Sequence, residues 1–287
     1  VKFSECELLL RLEYEVAGQH TVVDVGAQVG GFAQPFATRG WRVIAFEPEP
    51  ENYQELLARF EFYPNVTCVA KAVSDASEQE VPFYISTEHW GIHSLKPFHP
   101  THQVSLTVET VRLDEILTDL RLETVTVLKI DTEGADFLAL KSFDFDRFQP
   151  EVVLCEFMDA RSQENFGYSH HDMVVYMDQL GYATFVTEWA PIVEYGRKGV
   201  PVSHSFLQCA SYPLDHDPAW GNLFFVPIGQ IAQFRQTLGA YLNELERSKK
   251  IEGLRSLLKT LPGGSVLCRA LNRVCQNFLI DPNLRCK

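Results

Sequence analysis

Val22-Val-Asp-Val-Gly-Ala-Gln-Val-Gly-Gly-Phe32 decides how this chain is read. β-Branched residues lead to Asp24, glycines at 26, 30 and 31 crowd a turn, and Phe32, Ala33 and Phe36 follow. A buried strand running through a Gly-rich turn into a helix is the usual setting for a nucleotide-like cofactor. The question it poses is which cofactor tolerates an acid, Asp24, at the mouth of that turn.

Around this stretch, strand-like and helix-like segments alternate. The pattern predicts a helix over 4–17 with Ser4 as N-cap, a strand over 20–25, a crossover helix ended by Gly40, and a strand over 41–48. A helix opening at Pro48-Glu-Pro-Glu follows, with Leu56, Leu57 and Phe60 on one face, and then a strand over 65–73. Between about 76 and 110 the alternation breaks into two antiparallel strands flanking the His-rich loop TEHWGIHSLKPFHPTHQ. It resumes with a strand over 124–131, a helix from Gly134, a strand over 150–157, a helix around 170–181, and strands around 181–188 and 222–227. The fold class implied is α/β, Rossmann-like, with a mainly parallel sheet covered by helices on both faces. The expected domains are an N-terminal helix (1–19), the Rossmann-like domain (20–227) and a helical C-terminal extension (228–287). In the extension Ile231, Phe234, Leu238, Tyr241 and Leu245 form a stripe that ERSKK interrupts, and a second helical pair is expected after it. Packing of that stripe is the simpler expectation, with pairing to a second copy or an adjacent domain as the alternative.

Bulk properties narrow the function. At 287 residues with 46% hydrophobic side chains, the chain can bury a large core. With 25 basic and 38 acidic residues its net charge is −13, which disfavours nucleic acid as a partner. No apolar run approaches the roughly 18 residues of a membrane span, and nothing resembles a signal peptide, so the expected location is the cytoplasm. The chain starts at Val1, as after loss of an initiator Met or as a piece of a longer polypeptide. Its seven cysteines are odd in number and form no CxxC, which suits a reducing compartment without a disulfide framework or zinc knuckle.

The dinucleotide fingerprint GxGxxG would need Gly at 26, 28 and 31, and position 28 is Gln. The middle Gly lets a backbone approach a pyrophosphate, and Asp24 would repel one in a low-dielectric turn. S-adenosylmethionine carries an ammonium, a sulfonium and a ribose diol instead, all suited to carboxylates. Glu47, ending the second strand, is placed to accept from both ribose hydroxyls. An NAD-type oxidoreductase is therefore the weaker alternative. A catalytically degenerate binding domain is another.

The segments VVDVGAQVGGF, VIAFEPEPENYQELL, VRLDEIL, VLKIDTEGADFLALKSF and EVVLCEF, in this order over about 20–227, resemble an FkbM-type S-adenosylmethionine-dependent methyltransferase. AFEPEP and KIDTEGAD are the most specific pieces. Gln28 departs from the Gly that many methyltransferases of this fold carry. The resemblance implies methyl transfer to a hydroxyl oxygen of a sugar, glycan or secondary metabolite. It also implies that Asp24, Gly26, Ala27 and Gly30 wrap the methionine part of the donor, that Glu47 holds the ribose, and that Ala72 and Val73 line the adenine, with Asp75 nearby.

Asp131 and Glu133 lie just past the end of a central strand, where ligands sit in open α/β sheets, and Glu156 ends its neighbour. Asp131 is expected on the cofactor side, although capping of the following helix would also explain it. Carboxylates gathered there need a positive partner, from a sulfonium, Lys129, a substrate amine or a divalent ion. An alcohol must also lose its proton, and the candidate bases are Glu133, Glu156 and His93. The spacing of His89, His93, His99 and His102 fits no standard zinc pattern, so these are expected as solvated imidazoles on a substrate-facing loop, and no metal site is assigned. His170 and His171 are expected at the surface. Trp90, Phe98 and Trp189 are candidates for stacking on sugar faces or for packing.

Overall fold

The computed structural model describes residues 2–16, 18–89, 91–197, 200 and 202–259. The strands are β1 (Thr21–Val25), β2 (Arg42–Phe46), β3 (Val66–Val69), β4 (Ala72–Val73), β5 (Glu78–Ser86), β6 (His102–Val111), β7 (Val127–Ile130), β8 (Val152–Phe157), β9 (Tyr182–Trp189), β10 (Phe206–Ser211) and β11 (Gly221–Pro227). The α-helices are α1 (Glu5–Arg11), α2 (Ala33–Thr38), α3 (Pro50–Phe60), α4 (Leu113–Asp119), α5 (Asp136–Lys141), α6 (Phe145–Phe148), α7 (Asp159–Phe166), α8 (His170–Gln179) and α9 (Ile231–Lys259).

Among the described residues the main sheet runs β10-β9-β11-β8-β7-β1-β2-β3. Pairings from β3 to β8 are parallel, and those of β11 with β8 and β9, and of β10 with β9, are antiparallel. The order reverses between β1 and β7, because the chain goes out to β3 on one side and returns to β7 on the other. Such a switch point opens a crevice at the carboxyl ends of the strands. β1, β7 and β8 are buried along their whole length, as strands covered on both faces must be. Val23, Ile44, Leu128, Val153 and Leu223 form the centre of the core.

Several expectations change. The helix expected over 4–17 ends at Arg11, because the Glu15 and Val16 amides donate to the Glu151 carboxylate at 2.6 and 2.8 Å and pull the chain straight. Ser4 does accept from the Glu7 amide at 3.3 Å. The strand expected over 65–73 is two: β3 edges the main sheet, while β4 joins β6 and β5 in a separate three-stranded sheet. On α3 the inward residues are Asn52, Leu56 and Phe60, and Leu57 faces out. Residues 206–211, for which no element is expected, form β10.

The described residues form two compact units, residues 9–234 and residues 2–8 with 235–259. In the second, the Phe3 and Tyr241 rings lie 5.5 Å apart and the Ser4 amide donates to the Tyr241 hydroxyl at 3.1 Å. α9 continues through ERSKK to Lys259, so the break in the apolar stripe is not a break in the helix. Of the second helical pair expected around 254–261 and 266–279, residues 254–259 belong to α9, and the rest, with Trp90 and the cysteines at 268, 275 and 286, lie outside the described residues.

Candidate active site

The Gly-rich turn is built by close approach of main chain to main chain. The Gly26 and Ala27 amides both donate to the Phe46 carbonyl, at 3.1 and 2.8 Å, locking the end of β1 to β2. Gly26 adopts φ +74°, and a Cβ there would stand 1.8 Å from the Asp131 carbonyl oxygen. Gly30, at φ +82°, has the Leu56 and Phe60 side chains in the space a Cβ would take. Both glycines are thus explained by the fold's own packing. Gln28 adopts φ +51°, a backbone in which Gly is at ease. That conformation aims its amide at Glu47 Oε2, 2.8 Å away.

Glu47 ends β2 almost fully buried. Its second oxygen accepts the Glu49 amide at 2.9 Å, and Glu49 in turn caps α3 through the Asn52 amide. Two amides leave a carboxylate with lone pairs for two more donors, the number a ribose diol offers. Burial pushes its pKa up to about 7, against the lowering effect of the two amides.

Asp24 is completely enclosed, and neither of its oxygens has a hydrogen-bond partner apart from the ion pair to Lys129 Nζ at 3.1 Å. It lies beneath the turn, with Lys129 as its charged partner. The ammonium also reaches the Gly26 carbonyl at 2.9 Å and Asp131 at 3.5 Å. Burial opposes the charge on Lys129, yet Asp24 and Asp131 outweigh it and raise the pKa. Burial raises that of Asp24, with Lys129 opposing.

Past β7 the chain turns tightly through Glu133 (φ +58°) and Gly134 (φ +109°). The turn is held by Asp136, which accepts the Thr132 and Gly134 amides at 2.8 and 3.0 Å, so Asp131 is released from the capping role and faces the crevice half-buried. Carboxylate oxygens of Asp131, Glu133 and Glu156 all lie within 4.8 Å of one another. The cation between them is one the sequence reading overlooks, Arg161 on α7. Its Nη1 donates to Glu133 and, at 3.3 Å, to Glu156. Its Nη2 lies 3.5 Å from the Tyr195 hydroxyl, and its guanidinium carbon lies 4.1 Å from the centre of the Phe98 ring. Gly134 leaves room for the Arg161 stem, which a Cβ would meet at 3.0 Å. Burial raises the pKa values of Glu133, to about 8, and of Glu156, well above the usual range, despite Arg161. The signals missed were the last acid of KIDTEGAD, Asp136, and the lone Arg one turn beyond EVVLCEF.

Residues 91–101 bend over this crevice. Gly91 lies against the Gln28 side chain, the Ser94 hydroxyl donates to the Glu133 carbonyl at 2.9 Å, and Phe98 covers Arg161. His93 is half-buried, and its Nδ1 accepts the Ser86 amide at 3.1 Å. With that lone pair engaged, the neutral ring carries its hydrogen on Nε2 and offers a donor there. Burial also lowers its pKa. His102 is no solvated imidazole either: Nδ1 accepts the Phe98 amide at 3.2 Å and Nε2 donates to the Ile92 carbonyl at 2.7 Å. His89 and His99 pack edge-on against each other and against Tyr195. His170 is buried against Asp159 at 2.8 Å, contrary to expectation, while His171 is exposed. Trp189 stacks on Trp220. Ala72 and Val73 are buried, but in β4 of the smaller sheet, not at the end of β3. Asp75 faces Lys141 at 3.7 Å.

A cavity of about 500 Å³ opens at the opposite edge of the main sheet, beside the first residues of β8 and β9, lined by Glu15, Gln149, Glu151 and Tyr182 among others. Its Glu151 carboxylate is taken up by main-chain amides, so its acid is structural. The carboxyl-end crevice has the chemistry that fits a methyl donor. It pairs a buried acid with spare lone pairs for a diol, and it holds an excess of carboxylates for a cation. The Gly26, Ala27, Gln28 and Gly30 amides of the turn are given to Phe46, Glu47 and Ala27 and are not free for a diphosphate.

The FkbM methyltransferase domain matches residues 24–184. A hexuronic acid methyltransferase, AglP, of Haloferax volcanii is 27% identical over 138 residues, which are 46% of this chain and 54% of that protein, so the chain matches about half the relative's length. Among solved structures, precorrin-6y C5,15-methyltransferase of Geobacter metallireducens superposes with a TM-score of 0.40 at 12% identity, covering 79% of this chain and 94% of the other. Magnesium protoporphyrin IX methyltransferase of Synechocystis, solved with bound S-adenosylmethionine, gives 0.36 at 12%, covering 73% and 70%. The domain match takes in the end of β1, the Glu47 turn, β7 and β8, and the chain belongs to the FkbM methyltransferase family, whose methyl donor is S-adenosylmethionine.

Proposed function

We propose that this chain is an O-methyltransferase that moves the methyl group of S-adenosylmethionine to a hydroxyl of a sugar, glycan or secondary metabolite. The observation that carries this reading is the set of carboxylates at the carboxyl ends of β2, β7 and β8. Glu47 would hold the ribose. The turn over Gly26, Ala27 and Gly30, stiffened from below by Asp24 and Lys129, would face the methionine part with Asp131 beside it, and Ala72 and Val73 would back the adenine. Bound there, the donor supplies a methyl group already activated by its positive sulfur. The protein's share is to align an acceptor oxygen with it, worth several kcal/mol or more, and to take the hydroxyl proton. Glu133 and Glu156 would take the proton, and the His93 Nε2–H would orient the acceptor. The name of the Haloferax relative supports a sugar-derived acceptor.

Calorimetric titration with S-adenosylhomocysteine and with NAD tests the cofactor half, repeated on Glu47→Ala. Micromolar binding of the first alone, weakened at least tenfold in the variant, is expected; equal binding in both proteins would remove Glu47 from the site. Labelled donor with a panel of hydroxylated and amine-bearing glycosides tests the acceptor half, and transfer to amines alone would overturn the oxygen assignment.

A further inference from the structure

The charges at the crevice do not balance. Asp24, Asp131, Glu133, Asp136 and Glu156 face only Lys129 and Arg161 among the described residues. Lys129 is committed to Asp24, Asp131 and the Gly26 carbonyl, and Asp136 to the Thr132 and Gly134 amides. Arg161 makes its close contact with Glu133 and a longer one, 3.3 Å, with Glu156. Glu156, 8% exposed on a strand buried throughout, is therefore the least compensated acid. The charged groups that face it are Asp131, Glu133 and Asp136 from the β7–α5 turn and Arg161 from α7, with the Tyr195 hydroxyl on the far side of the guanidinium. The Arg161 Nε, buried and without a partner, shows that even this cation is not fully engaged.

We propose that Glu156, held beside Glu133 on the Arg161 guanidinium, is the proton acceptor of the site, and that it ionises only when the positive sulfur of the methyl donor is bound. The inference rests on the reading of the site given above. A buried carboxylate surrounded by like charges keeps its proton until a cation arrives. Arrival of the sulfonium releases that proton and arms Glu156 as a base. As methyl transfers, the acceptor O–H bond breaks and its proton goes to Glu156. The oxygen lone pair forms the new O–C bond, and the C–S pair stays on sulfur. One positive charge leaves the sulfur and one proton returns to the carboxylate, so the charge of the site is the same before and after.

S-adenosylmethionine and S-adenosylhomocysteine differ by this charge, so they serve as the probes and no acceptor is needed. Titrating each into the chain in buffers of different ionisation heat reads the protons released on binding. At neutral pH the charged ligand should release roughly one proton more than the neutral one, and Glu156→Gln should abolish the gap. Glu47 ionises with either ligand and cancels. In infrared difference spectra of the unmodified chain, S-adenosylmethionine should remove one protonated carboxylic acid band more than S-adenosylhomocysteine does. Equal proton release by both ligands, with equal loss of the band, would overturn the inference and leave the cofactor reading intact. A gap that survives Glu156→Gln would overturn the assignment to that residue. Binding of neither ligand would remove the cofactor reading, and the inference with it.

Discussion

Glu47 carries a cost that the proposed ribose contact would explain. Its pKa of about 7 exceeds the ordinary 4.5 because the folded protein buries it, so the folded state holds the proton more tightly than the unfolded chain. Stability from this group is therefore highest below about pH 4.5 and falls as pH rises through 7, by about 3 kcal/mol in total. A ribose diol donates to the ionised form, so cofactor binding runs the other way. S-adenosylhomocysteine should bind about tenfold more tightly at about pH 8 than at about pH 6, and Glu47→Gln should bind weakly with no such slope. A flat profile for the unmodified chain would mean that Glu47 is already ionised. Lys129 belongs to the same scale. Lys129→Met strands Asp24 uncompensated in the core and should cost roughly 3–5 kcal/mol in chemical denaturation. Adding Asp24→Asn should return part of that loss, because the orphaned charge is then gone; full additivity of the two losses would show that the pair is not coupled.

At the scale of elements, what the sequence discloses and what it conceals separate by the range of the interactions. The β1 turn, the α3 start and the antiparallel pair around the His-rich loop follow from local chemistry: glycines at positive φ, a Pro after an N-cap acid, alternation of side chains. The end of α1 at Arg11 depends on Glu151, more than a hundred residues away, and no local signal announces it. The split of 65–73 depends on β4 finding β6. His102 shows the same limit, since its partners Phe98 and Ile92 are nearby in sequence but only the folded hairpin brings all three into contact. Burial holds its pKa near 4, so the neutral ring pins the loop above the ordinary 6.5, and that support is lost as pH falls toward 4. Hydrogen exchange at the Phe98 amide, corrected for its intrinsic pH dependence, should accelerate across this range and should be fast at every pH in His102→Phe. Unchanged protection in the variant would show that the loop is held elsewhere.

For the whole molecule, the order of the strands matters more than any one of them. The switch between β1 and β7 brings Asp24 and Lys129 into register on neighbouring strands, and β8 adds Glu156 to the same edge. Acids that look scattered at 24, 47, 131, 133 and 156 thereby become one negative crevice. Their residue types were readable along the chain, but Arg161 was not, because its meaning comes from four separate segments converging on one guanidinium. A crevice assembled from so many parts of residues 9–234 couples ligand binding to the folding of that whole unit. Ligand at a hundredfold its Kd adds about 2.7 kcal/mol, which for a unit of this size is a rise of roughly 5–10 °C in Tm. S-adenosylhomocysteine at that excess should produce the shift in a thermal melt, and NAD at equal concentration should not. Glu47→Ala should cut the shift to about half or less, even where its own melting point is unchanged. A rise with both compounds would mean a nucleotide site that does not discriminate, whereas a rise restricted to the methyl-donor product ties stability to the acids at the carboxyl edge.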